Sequence, residues 1–155
     1  MVRIQPCPQS ALQINRETVR RTFPSFKNSK KQGDAGLGIA IGWLSSQGFD
    51  VLLPLTDSQD YDLVYGVNDQ FKRVQVRTAT QKKPGNFVVA LRVCGGNRSG
   101  SGKTKRTCDL LYDELMVVTG DGSIYRVPKA ELPQSEMTLS SEREKYLVGR
   151  MTVHE

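Results

Sequence analysis

The clearest helical spacing in the chain is that of Leu37, Ile41 and Leu44, which stand at i, i+4 and i+7 with Ala40 beside them. It predicts a helix from Asp34 to about Gln47, stopped by Gly48 at the position where a left-handed residue is favoured. Gly36, Gly38 and Gly42 act against it, since each costs ~1 kcal/mol relative to Ala in a helix interior. They fit a helix that another backbone approaches closely. Upstream, Asn15 can cap a short helix, Arg16 to Phe23, with Ile14 and Val19 as a hydrophobic staple and Pro24 at its end. Residues 25–33 then read as a basic linker, so residues 1–33 form an arm and 34–155 the core domain.

Beyond Gly48 the apolar period changes to two. Asp50–Pro54 is a short apolar run, and Asp62–Gly66 with Phe71–Arg77 predicts a hairpin around Val67-Asn68-Asp69. Phe87–Val93 predicts a fourth strand, followed by a Gly/Ser-rich basic loop over 95–107. Leu115–Thr119 and Ile124–Val127 pair across Gly120-Asp-Gly-Ser, a strong turn signal. Ser141 with Glu144 has the spacing of a capping box and predicts a last helix through about Met151. A helix, six strands and a helix, in that order, point to an α/β fold: a mixed sheet flanked by helices.

Composition narrows the chemistry. At 155 residues, 37% hydrophobic and 25% charged, the chain has the make-up of one soluble domain. It holds no apolar run near the ~18 residues that span a bilayer, and Met1–Gln13 lack the apolar centre of a secretory signal. Cys7, Cys94 and Cys108 are scattered, with no C-x-x-C spacing, so a reduced, cytoplasmic setting is expected and a zinc site is not. The lone histidine, His154, lies one residue from the last position, which leaves Ser-His-Asp, Cys-His and histidine-metal chemistry without support. Catalysis, if present, must use carboxylates, amides, Lys and Arg.

The charges are segregated. Residues 1–33 carry seven bases and one acid; 34–70 carry six aspartates and no base; 71–106 carry ten bases and no acid. An acidic stretch between two basic ones suits an enzyme whose bases neutralise a polyanion while carboxylates hold a divalent cation at the reacting phosphate. Two solvated basic surfaces balanced by acids elsewhere give the same count.

Alternation over 71–77 sets the geometry. Val74 and Val76 share one face of the strand, and Arg73, Gln75 and Arg77 share the other. Pairing of 62–66 with 71–77 brings Asp62 near Gln75 and Arg77. A carboxylate, an amide and a guanidinium then converge at one end of a sheet, with Asp34 able to add a second carboxylate from the start of the helix. By spacing alone, Asp-x₁₂-Gln-x-Arg is unspecific, and the wet face of a half-exposed strand accounts for it as well.

Lys31-Gln-Gly-Asp34, Gly48-Phe-Asp-Val-Leu-Leu-Pro-Leu55, Tyr61-Asp62-Leu-Val and Phe71-Lys-Arg-Val-Gln-Val-Arg-Thr78 together resemble the PD-(D/E)XK nuclease superfamily, most of all its group I intron-encoded homing endonucleases. The likeness runs on through Gly95-Gly-Asn-Arg-Ser99 and Val118-Thr-Gly-Asp-Gly-Ser-Ile-Tyr125, covering most of 31–132. It implies a restriction-endonuclease-like fold and a Mg²⁺-dependent DNA endonuclease, with Mn²⁺ as a substitute. In that family a first-helix acid assists, an aspartate heading the second strand binds metal, and Gln-x-Lys replaces Glu-x-Lys. By position the helix acid falls on Asp34, the metal aspartate on Asp62, the glutamine on Gln75 and the lysine on Arg77, which is a departure. Arg keeps the charge but does not deprotonate.

The mechanism so implied is in-line attack of cation-activated water on a DNA phosphodiester. Asp62, Asp34 and the Val76 carbonyl would hold the cation, Gln75 would orient water, and Arg77 would stabilise the phosphorane charge. Lys30, Lys31, Lys72, Arg73, Lys82, Lys83, Arg98, Lys103, Lys105 and Arg106 would grip double-stranded DNA. The resemblance also implies a homo-oligomer, dimer or tetramer, and no membrane partner. A DNA-binding module that cuts weakly or not at all, specific for junctions or other DNA structures, is the alternative that Arg77 raises. Asn97-Arg-Ser-Gly-Ser-Gly-Lys103-Thr104 comes close to a Walker A loop, but Asn97 stands where its first glycine must be.

Overall fold

The computed structural model describes residues 28–56, 58–94, 104–105 and 109–151. The helix expected over Arg16–Phe23 and most of the loop expected over 95–107 lie outside the described residues.

Helix α1 spans Ser29–Ser46, so it begins at Ser29 and not at Asp34. The Asn28 side chain caps it by accepting the Lys30 N–H at 2.8 Å. Ser29 to Gln32, expected as linker, contain no helix breaker, and their polar character hid them from an apolar period. The expected boundary at 33/34 therefore falls inside a helix, and Asp34 sits beyond its first turn. At the other end Gly48, at φ 82°, lets the Phe49 N–H reach back to the Leu44 carbonyl at 3.2 Å.

The strands are β1 (Asp50–Leu52), β2 (Leu63–Val67), β3 (Gln70–Ala79), β4 (Lys82–Lys83), β5 (Asn86–Ala90), β6 (Val93–Cys94), β7 (Thr104–Lys105), β8 (Glu114–Thr119), β9 (Ser123–Pro128), β10 (Glu136–Leu139) and β11 (Leu147–Arg150). The main sheet has the order β1-β2-β3-β8-β9-β11. Only β3 and β8 pair in parallel; the other neighbours are antiparallel. The sheet is thus mixed, as the sequence predicted. A second sheet runs β10-β5-β4, and β6 pairs with β7.

Central position explains the apolar run of β8, where all of Glu114–Thr119 are buried. Its alternation separates two cores. Met116 and Val118 pack with Val74, Val76, Leu63, Tyr65 and Ile124 against Ala40 and Leu44 of α1. Leu115 and Val117 face the opposite way, where Val89, Met137 and Leu139 of the second sheet cover them. Among the described residues one helix and a small sheet flank the main sheet, in place of the flanking helices expected.

The last helix, expected from Ser141, is absent. Ser141–Tyr146 form a 3₁₀ turn whose preceding Ser140 makes no side-chain cap, and the chain then extends into β11. Two features favour the strand. Leu147 pairs with Tyr125 along the otherwise open edge of β9. Gly149 lies against the Trp43 indole, where a Cβ would come within 2.5 Å of Nε1.

Candidate active site on the open edge of the central strand

The β2–β3 hairpin builds the site. Its turn residues Asn68 and Asp69 both take positive φ, 48° and 62°, the conformation that matches the twist of a tight hairpin. This turn fixes Leu63 opposite Val74. One residue before β2 begins, the Asp62 N–H still donates to the Val74 carbonyl at 2.9 Å. Asp62 is therefore placed beside Gln75, where the first strand of the hairpin leaves the second.

Two donors converge on one carboxylate oxygen. Asp62 Oδ2 accepts the Gln75 amide at 2.5 Å and the Val76 backbone N–H at 2.7 Å. Burial pushes the Asp62 carboxyl above its ordinary value, while the Val76 N–H and the charge of Arg77 oppose that rise. The N–H and C=O of a strand residue point to the same side, so the Val76 carbonyl also faces this edge. Val76–Ala79 of β3 pair in the main sheet only with β8, because β2 has ended. Asp62, Gln75 and Arg77 are each half-buried: held by the fold, yet open to solvent.

Asp62, Gln75 and Val76 offer hard oxygen donors, and Arg77 places a positive charge close enough to act on Asp62. Asp62 Oδ1, the Val76 carbonyl and the Gln75 amide oxygen fit a Mg²⁺-type ion, which takes oxygen ligands and keeps places for water and substrate phosphate.

Asp34 is exposed on α1, which packs on the face of β3 that carries Val74 and Val76. Among the described residues no three His, Cys, Asp or Glu side chains gather as a metal centre.

The expected DNA contacts divide into groups. Lys30, Lys31 and Lys72 are exposed. Lys82 lies over the Phe87 ring, 4.6 Å from its centroid. Lys83 is paired with Glu136 at 2.8 Å. Arg73 is clamped by Asp113, with Nε to Oδ2 at 3.1 Å, Nη2 to Oδ1 at 2.9 Å and its own backbone N–H to Oδ2 at 2.8 Å. Arg98, Lys103 and Arg106 lie outside the described residues, as does the side chain of Lys105. Asp113 and Glu136 carried no signal in the sequence, since each meets its base only through the fold. No helix of the described residues is long and apolar enough to cross a membrane.

A mixed sheet with a carboxylate, an amide and a guanidinium at the point where its hairpin splays has the architecture of the restriction-endonuclease-like fold. The sequence profile of the PD-(D/E)XK endonucleases matches residues 27–147, and the chain belongs to that family. Among solved structures it is similar to the bacterial homing endonuclease I-Ssp6803I, at 28% identity and a TM-score of 0.63, over 77% of this chain and 88% of that one. No curated protein matches the chain.

Proposed function

We propose that this nuclease-family chain is a divalent-cation-dependent DNA endonuclease, similar in action to homing endonucleases. The observation that carries the reading is the convergence of Asp62, Gln75, Val76 and Arg77 on the open edge of β3, inside the matched segment. Asp62 and the Val76 carbonyl would hold Mg²⁺ or Mn²⁺, with Asp34 outside the set. The bound cation supplies electrophilic assistance at the phosphate and acidifies water at neutral pH.

Arg77 stabilises the charge that builds on the phosphate oxygens during in-line attack by water. As a guanidinium it stays protonated, so it holds charge and does not remove a proton. Lys30, Lys31, Lys72 and Lys82 grip the duplex backbone without reading sequence. Two or four copies of the chain would assemble on a long target.

Arg77 at the lysine position favours a second reading, a DNA-binding module that has lost cleavage. Incubating plasmid, linear duplexes and branched junctions with Mg²⁺ or Mn²⁺, beside Asp62→Ala, separates the two. Cutting that needs the cation and vanishes in the variant supports the endonuclease. Salt-sensitive binding with no cutting of any substrate establishes the module instead.

A further inference from the structure

The charge count of the site has a consequence for how a cation enters it. Asp62 contributes one negative charge, Arg77 cancels it, and Gln75 and the Val76 carbonyl contribute none. One of the two Asp62 oxygens is already occupied, because Oδ2 accepts both Gln75 Nε2 and the Val76 N–H. Against a carboxylate acceptor the Gln75 amide must present its nitrogen, since two oxygens would repel. Its own oxygen is left as a neutral donor. Asp34 is exposed on a helix that covers the other face of β3, and no cluster of three acidic or soft ligands exists among the described residues. A hard divalent cation is thus offered one carboxylate oxygen, neutral oxygens and a nearby positive charge.

We infer that the protein takes up its cation together with DNA, the substrate phosphate supplying the missing negative charge, and that Gln75 enforces this order. The inference rests on the reading of Asp62 as the cation-holding carboxylate. A phosphate entering beside Arg77 neutralises the guanidinium and adds an anionic oxygen, which turns a site of zero net charge into an attractive one. Gln75 has two parts in this. Its N–H fixes Asp62, and its neutrality withholds the second carboxylate that would let the free protein bind the cation. By linkage the coupling is reciprocal: a cation that binds tighter with DNA present tightens DNA by the same factor.

The test uses the full chain, Mn²⁺ and a fluorescein-labelled duplex of arbitrary sequence, with no cleavage readout. Mn²⁺ bound to protein alone is counted by electron paramagnetic resonance, and DNA affinity is read by anisotropy with and without Mn²⁺. A cation that only screens phosphates weakens DNA binding, so the coupling has the opposite sign from the background. Wild type is expected to bind Mn²⁺ weakly alone and to bind DNA about tenfold tighter when Mn²⁺ is present. Gln75→Glu is expected to bind Mn²⁺ without DNA and to lose most of that tightening.

Wild-type DNA affinity that does not rise when Mn²⁺ is added overturns the inference. Full tightening retained by Gln75→Glu also overturns it. If Asp62→Asn keeps the tightening of wild type, the cation is held elsewhere and the underlying reading of the site fails. Asp62-dependent cutting in the cleavage experiment on plasmid, duplexes and junctions, with no tightening of DNA by Mn²⁺ here, removes the coupling alone.

Discussion

Gly36 lies so close over Thr78 that a Cβ at position 36 would stand 2.1 Å from Thr78 Oγ1 and 3.3 Å from its Cβ. The same threonine donates to the Gln32 carbonyl at 3.3 Å, so α1 is seated on β3 one residue beyond Arg77. In an open helix, Gly→Ala gains ~1 kcal/mol. Here both the hydroxyl and the threonine Cβ are in the way, and rotation about χ1 moves only the first. Gly36→Ala is expected to lower stability by about 1–3 kcal/mol through overpacking, measured as a fall in the urea midpoint. Gly36→Ala/Thr78→Ala should recover part of the loss. A double variant no better than the sum of its singles would show that the two residues do not interact.

Asp62 links function to pH. Burial, the larger effect, raises its carboxyl above the ordinary 3.8, against the Val76 N–H and Arg77. A carboxyl with a raised folded pKa holds its proton more tightly in the native state. It therefore costs stability as pH climbs from the ordinary value through the raised one, and the whole cost is present above that window. Asp62→Asn removes the charge and keeps an oxygen to accept the Val76 and Gln75 N–H groups. The variant should be more stable than wild type at neutral pH, with an advantage that shrinks as pH falls towards 3.8. An advantage independent of pH would mean that the carboxylate charge is not its source. Loss of cutting in the same variant would set stability against activity at this residue.

The strand alternation of Val74 and Val76, the hairpin and the Gly120–Ser123 turn were legible because each is a local signal. From them followed the placement of Asp62 beside Gln75. Other features depend on partners far along the chain. The parallel pairing of β3 with β8 sets Val74 opposite Glu114 across a stretch that carries no register signal. The second sheet depends on β10, which pairs with β5 and whose Met137 and Leu139 are buried in the core shared with Leu115 and Val117 of β8. Ser141 and Glu144 carried a helix signal that the open edge of β9 overrode. Asn28 was a cap without apolar periodicity behind it, so the first turns of α1 passed for linker.

Lys72 and Arg73 are adjacent in sequence and different in role. Lys72 is exposed, whereas the Arg73 guanidinium and backbone N–H both hold Asp113, whose carboxyl is kept below its ordinary value mainly by that guanidinium. Lys72→Ala is expected to reduce the slope of log affinity for DNA against log salt by about 0.9, the contribution of one phosphate contact. Arg73→Ala should leave the slope unchanged and lower the urea midpoint, because it unties β3 from the segment leading into β8. A fall in slope for Arg73→Ala would show that the residue leaves Asp113 to bind DNA.

Glu114, 6% exposed, sits on the α1 side of β8 with its charge fully engaged. Arg126 donates to Oε1 at 2.9 Å and to Oε2 at 3.1 Å, and the Tyr65 hydroxyl meets Oε2 at 3.2 Å. Burial and then the Glu114 charge push the Tyr65 phenol up to about 12. The guanidinium also lies 4.9 Å from the Tyr65 ring centre and 5.9 Å from that of Phe49. Removing one partner of such a pair leaves the other half-buried and uncompensated, so Glu114→Ala is expected to cost about 3–5 kcal/mol. Replacing both charges avoids that penalty. Glu114→Leu/Arg126→Met should therefore lie closer to wild type than Glu114→Ala does, measured by urea unfolding. The group lies on the α1 side of the sheet, opposite Gln75 and Arg77, so the double variant should keep cutting per folded molecule. A double variant less stable than Glu114→Ala would mean that the ion pair, and not the relief of an unpaired charge, holds this core together.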